Sequence, residues 1–139
     1  MLNPGRAAAA ALGCTLLIAA GCRRAVPPQQ AIEDPAHVAM LRESLRDVFM
    51  AQEIYYSNPA NNYAYTAVAS QLDRYTPRPG TTLTIFEGTK KGWSAMVQGA
   101  SGHACVMYVG QVSAPPKTPR GVAATRPSKG TDLDIACDP

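Results

Sequence analysis

The sequence predicts an α+β domain: a long amphipathic helix packed on a small antiparallel sheet, closed by a disulfide-bounded C-terminal loop. Residues Pro35 to Ser57 repeat their apolar positions with a helical period. Three later stretches, around Thr81, Trp93 and Ala104, read as strands ended by glycine-containing turns. A segment rich in proline, glycine and basic residues then precedes one short apolar end. One helix followed by hairpin-linked strands is the pattern of a helix-on-sheet fold. With 139 residues, 46% of them hydrophobic, the chain holds one core.

Residues 1–21 read as an export signal. Arg6 supplies a positive start, and Ala7 to Ala20 is an apolar run of roughly 14 residues, too short and poorly flanked for a stable membrane span. The run ends Leu17-Ile18-Ala19-Ala20-Gly21-Cys22, small residues before a cysteine, and this resembles the lipobox of bacterial lipoproteins. The resemblance implies a covalent lipid on the Cys22 thiol, cleavage after Gly21 and tethering to a membrane in the cell envelope. The alternative is ordinary signal cleavage with Cys22 incidental. Cys14 lies inside the leader and leaves with it. Residues 22–34 contain Pro27-Pro28 and few apolar positions, which describes an extended tether.

Residues 35–139 form the expected domain. Asp34 caps the helix and Pro35 suits its first position. Val38, Leu41, Leu45, Val48, Phe49 and the pair Tyr55/Tyr56 fall on one stripe, with Arg42, Glu43, Arg46, Asp47 and Glu53 mostly off it. Asn58-Pro59 ends the helix, whose length is roughly 35 Å. Asn58 to Thr66 is a turn-rich, tyrosine-rich crossing, and Val68 to Leu72 adds a short helical turn. Thr81 to Glu87 alternates, Leu83 and Ile85 against threonines. Trp93 to Gly99 follows a hairpin connection, with Trp93, Ala95 and Val97 on its core face. Ala104 to Gly110 is more continuously apolar and so central or covered on both faces. Gln111 to Gly130 is expected as a long loop, and Leu133 to Cys137 as a short last strand.

Cys105 and Cys137 are the thiols of this body. In an exported domain they read as a disulfide, and closing a loop of about 30 residues stabilises by ~3–4 kcal/mol in the chain-entropy model. A redox or metal pair is the alternative, but the spacing fits neither Cys-x-x-Cys nor a zinc pattern.

Several stretches then resemble the globular domains of type IV pilins and pseudopilins. They are Ala51-Gln52-Glu53-Ile54-Tyr55-Tyr56, Asn62-Tyr63-Ala64-Tyr65-Thr66, Pro79-Gly80-Thr81-Thr82-Leu83-Thr84-Ile85, Gly92-Trp93-Ser94-Ala95 and Cys105-Val106-Met107-Tyr108-Val109-Gly110, in that order from about Leu41 to the C-terminus. The resemblance implies a helix against a small antiparallel sheet and a disulfide-bounded C-terminal region that carries partner contacts. The leader departs from the family. Pilins continue from their peptidase site into a long apolar helix with a glutamate at its fifth position. Counting from Cys22 that position is Val26, and Pro27-Pro28 interrupts any continuous helix.

No catalytic pattern is legible. His37, near a helix start, and His103, in a hairpin turn, show no partner in sequence and are expected on the surface. No Gly-x-Ser-x-Gly, Gly-x-Gly-x-x-Gly or Walker loop is present. Some major pseudopilins bind calcium in a loop near the position of Asp132, Asp134 and Asp138, but calcium takes six to eight oxygens and this spacing completes no loop. The acids are expected exposed, with no metal or other cofactor beyond the lipid. A net charge of +3, scattered and without interleaved aromatics, argues against nucleic acid. Lys117, Arg120, Arg126 and Lys129 make the 111–130 loop the candidate partner-binding surface, facing an acidic protein or anionic headgroups, against plain disorder. Tyr55, Tyr56, Tyr63 and Tyr65 read either as an exposed patch or as packing under the crossing loop. The expected protein is a non-catalytic, membrane-anchored envelope lipoprotein with an unidentified envelope partner. The alternative is a minor pilin or pseudopilin-like component of a type IV pilus or type II secretion system.

Overall fold

A computed structural model describes residues 34–126 and 133–139. The leader, the tether up to residue 33, Cys22, Lys129 and Asp132 lie outside the described residues. Helix α1 (Pro35–Ser57) starts as its sequence dictates: Pro35 lacks the N–H that would be orphaned there, and Asp34 Oδ1 accepts from Ala36 N at 3.0 Å. At the other end Asn58 turns its side chain to Ala60 N (3.0 Å) and opens a single 3-10 turn, Pro59–Asn61. A second turn, Ala69–Gln71, falls within the helical turn expected at 68–72.

The sheet is an antiparallel meander in the order β1 (Thr81–Gly88), β2 (Gly92–Gly99), β3 (Ala104–Gly110), β4 (Ala136–Cys137). Leu41, Leu45, Val48 and Ala51 are buried on one stripe of α1 against Trp93, Ala95 and Val97 of β2 and Cys105 and Met107 of β3. Leu83 and Ile85 flank them from β1. Removing each large aliphatic side chain from water contributes roughly 1.5–3 kcal/mol, so this contact dominates the domain's stability. Phe86 is the extra residue of a bulge between Ile85 and Glu87 and is half-exposed.

Two polar residues interrupt the apolar stripe, and both are satisfied. Ser44 Oγ meets Tyr75 Oη at 3.1 Å. Gln52, fully buried, grips the Thr66 peptide from both sides: its Nε2 donates to Thr66 O (2.8 Å) and its Oε1 accepts from Thr66 N (3.1 Å). That places the crossing segment against the end of β1, where a Cβ on Gly88 would lie 2.2 Å from Thr66 C. Only glycine fits there.

Two expectations change. The 111–130 loop is not aperiodic over its described part. Lys117 bridges Ala123, Thr118 N donates to Val122 O (2.9 Å), and Gly121 N donates to Thr118 O (2.9 Å). Thr118-Pro119-Arg120-Gly121 is therefore the tip of a small hairpin, with Pro119 in the first central position and Gly121 at φ 88° closing it. Its Ala124, with Val112, packs on Val106 and Tyr108 and so covers the face of β3 turned away from α1. The last strand is also shorter than expected: Leu133 and Ile135 pack into the helix-side core instead of pairing, and only Ala136 and Cys137 join the ladder.

Cys105 and Cys137 face each other across β3 and β4 and form the disulfide, with Cα atoms 4.0 Å apart. Reduction, or Cys105→Ser with Cys137→Ser, is expected to lower stability by about 3–4 kcal/mol. Urea unfolding with and without reductant measures it, and an unchanged midpoint would mean that β4 is held by packing alone. Gln52→Ala leaves a buried N–H and C=O unpaired, so a loss of about 2–4 kcal/mol is expected from the same measurement. A loss below about 1 kcal/mol would show that Thr66 finds other partners.

Candidate functional site

The basic residues of the second-face hairpin separate on inspection. Lys117 is exposed on the bridge beside Ala123, and Arg126 is exposed where the described part of the loop ends. Arg120, at the hairpin tip, reaches back instead: Nη1 donates to Pro139 O at 3.2 Å and Nη2 lies 3.5 Å from His103 Nδ1. The structure thus leaves Lys117 and Arg126 as outward-facing cations and makes Arg120 a clasp between hairpin and C-terminus. Glu87 Oε2 anchors the opposite end of the segment by accepting from Ser113 N at 2.8 Å.

His37 and His103 do not sit apart on the surface as expected. His103 is buried at 3% exposure, and His37 is half-buried. Ser101 in the β2–β3 turn links them, its Oγ 3.4 Å from His37 Nε2 and 3.3 Å from His103 Nδ1. The chain of contacts ties the start of α1, the turn and the hairpin tip together. Its contacts are at the long end of hydrogen-bond range, and the turn's Gly102 N–H donates to Gly99 O at 3.0 Å. Only the turn residues Gly99 and Gly102 signalled it in sequence; the approach of His37, 64 positions away, had no local signal.

The C-terminal acids also differ from expectation. Asp138 is buried at 4% exposure, and its Oδ2 accepts from Ala104 N at 3.0 Å, so it caps the β3–β4 ladder. Asp134 is half-buried. Among the described residues no group of three or more His, Cys, Asp or Glu is placed to hold a metal ion. No described helix is long and apolar enough to cross a membrane.

The tyrosines do gather. Tyr56 stacks on Tyr65 (centroids 4.6 Å, planes 25° apart) and meets Tyr63 edge to face (6.2 Å, 63°). Tyr65 Oη donates to Glu53 Oε1 at 3.0 Å. Tyr55 leaves the group and donates to Gln71 Oε1 at 3.3 Å. Both readings of these residues hold in part: Tyr65 is half-buried in the crossing, and Tyr63 is 52% exposed.

A scan against models of known protein families finds no match, and no curated protein is significantly similar to the chain.

Burial, reinforced by the hydrogen bond to Glu53 and by the carboxylate's charge, pushes the Tyr65 phenol from 10.0 up to about 12. Because the fold favours the neutral phenol, the stabilisation is whole below pH 10.0 and is lost as pH rises through about 12. A spectrophotometric alkaline titration should show Tyr65 ionising late, a step that Tyr65→Phe removes, and Glu53→Gln should lower its midpoint. A lag unchanged in that variant would assign the shift to burial alone.

Proposed function

We propose that this chain is a non-catalytic envelope lipoprotein, in which a pilin-like α+β domain stands on a lipid tether and binds a partner protein. The observation that carries the reading is the leader's end, Leu17 to Cys22, followed at once by Pro27-Pro28. A thiol after small residues is the acceptor that lipid attachment needs, and a proline-rich stretch keeps the domain off the bilayer. The helix-on-meander with its Cys105–Cys137 disulfide is the arrangement that the pilin resemblance implies. The docking surface in this reading is the second-face hairpin, with Lys117 and Arg126 outward and Lys129 following in sequence. Its partner presents acidic side chains.

The same pilin-like order of motifs favours a second reading, a minor pilin or pseudopilin-like component of a type IV pilus or type II secretion system. The interrupted leader counts against it, since filament packing by the usual route needs a continuous apolar helix there.

Cys22→Ser is expected to release the protein from the membrane fraction, and the N-terminal peptide of the native protein is expected to be a lipidated fragment beginning at Cys22. Unchanged fractionation of the variant, or an unlipidated start elsewhere in the leader, would overturn the anchor. Loss of secretion or piliation on deletion, with co-purification of filament components, would select the second reading.

A further inference from the structure

The end of α1 carries a surface that none of the foregoing uses. The crossing turns at Asn61-Asn62-Tyr63-Ala64, closed by Ala64 N donating to Asn61 O at 3.2 Å. Both central residues have positive φ, 56° at Asn62 and 52° at Tyr63. This is a turn in which asparagine suits the first central position and glycine the second. Tyr63 occupies the glycine position, a strained backbone for a bulky residue, and the residue is still 52% exposed. Tyr63 thus keeps an unfavourable backbone while its side chain meets only the edge or face of Tyr56 among the described rings and stays open to solvent.

Its neighbours define what this surface accepts. Tyr56 lies between the other two rings, edge to face with Tyr63 at 6.2 Å and stacked on Tyr65 at 4.6 Å, and Glu53 ends the row beyond Tyr65 by accepting from Tyr65 Oη at 3.0 Å. Among the described residues Glu53 is in no salt bridge, and the last turn of α1 holds no basic residue. Aromatic faces and a carboxylate without a cation both attract positive charge. A planar guanidinium matches both, since it stacks on rings and pairs with carboxylates in ways an ammonium does not.

We propose that the Tyr56–Tyr63–Tyr65 row with Glu53 is a docking surface for an arginine side chain of a protein partner. The surface is distinct from the basic hairpin and depends on neither the lipid anchor nor the hairpin's partner. The two surfaces have opposite charge preferences, so one can fail without the other.

The test follows tyrosine ring signals of the full-length protein by NMR while an acetylated Gly-Arg-Gly amide is added. Parallel titrations use the same peptide with citrulline, a neutral near-isostere, and a short chitin oligosaccharide, because exposed aromatic rows also take sugars. Saturable shifts at Tyr63 and Tyr56 are expected with the arginine peptide, with affinity about fivefold weaker for citrulline. Glu53→Gln and Tyr63→Gly should each weaken the arginine response to a similar degree. Tyr63→Gly suits the turn, so its fold is retained, and unchanged disulfide-dependent unfolding verifies that. Equal responses to arginine and citrulline, a response surviving both substitutions, a response to the sugar alone, or no saturable response would each overturn the proposal.

Discussion

The Gln52 amide holding both sides of the Thr66 peptide sets the geometry on which the rest of the domain depends. An extended segment crossing from a helix to the far edge of a sheet has no ladder of its own to satisfy its backbone. One buried side-chain amide, with a donor and an acceptor in fixed relation, supplies both missing bonds at once. Once Thr66 is fixed, Tyr65 N reaches Thr89 O at 3.0 Å, Gly88 packs on the Thr66 backbone, and the end of β1 is held in a defined position. The apolar contact between α1 and the sheet is larger in energy but tolerant of sliding. The Gln52 pair selects one register from those that burial alone would allow.

The two faces of the sheet are closed by different means. On one side α1 offers an apolar stripe interrupted only by the paired Ser44 and Gln52, and hydrophobic burial makes most of the contact. On the other side a proline-rich segment has few apolar groups to contribute, so polar ties accumulate: Glu87 to Ser113, Arg120 to Pro139, and Thr118 to Val122. The disulfide adds a covalent constraint where β4 pairs through only two residues. A thin last strand carrying a crosslink keeps Ala136 and Cys137 in the ladder beside β3. The proposed uses of the surface follow this division, with cations on the hairpin and aromatics with an acid at the end of α1.

What was legible in the sequence was whatever depends on local pattern. The helix ran between its cap at Asp34 and its stop at Asn58 because capping and proline effects act within a turn. The three main strands appeared where alternation and glycine turns placed them. The pairing of Cys105 with Cys137 followed from there being two thiols in the body. The hairpin at 116–124 was also locally encoded, in Thr118-Pro119-Arg120-Gly121, yet the proline-rich composition masked its turn signal.

The remaining features required the tertiary structure, because each joins residues without a local relation. Nothing near His103 in sequence announces Arg120 or Ser101-linked His37, so two histidines read as exposed became parts of one contact chain, His103 buried and His37 half-buried. Asp138 looked like a terminal acid, and became a ladder cap once β4 brought it to Ala104 N. The tyrosines were visible as a group, but their division into the Tyr56–Tyr63–Tyr65 row and a separate Tyr55 depended on the turn at Asn62-Tyr63. Sequence by itself determined the class of fold and the elements, since helical and strand periods are set by short-range backbone geometry. Tertiary structure decided which polar groups meet, since burial in one place forces partners to come from distant parts of the chain.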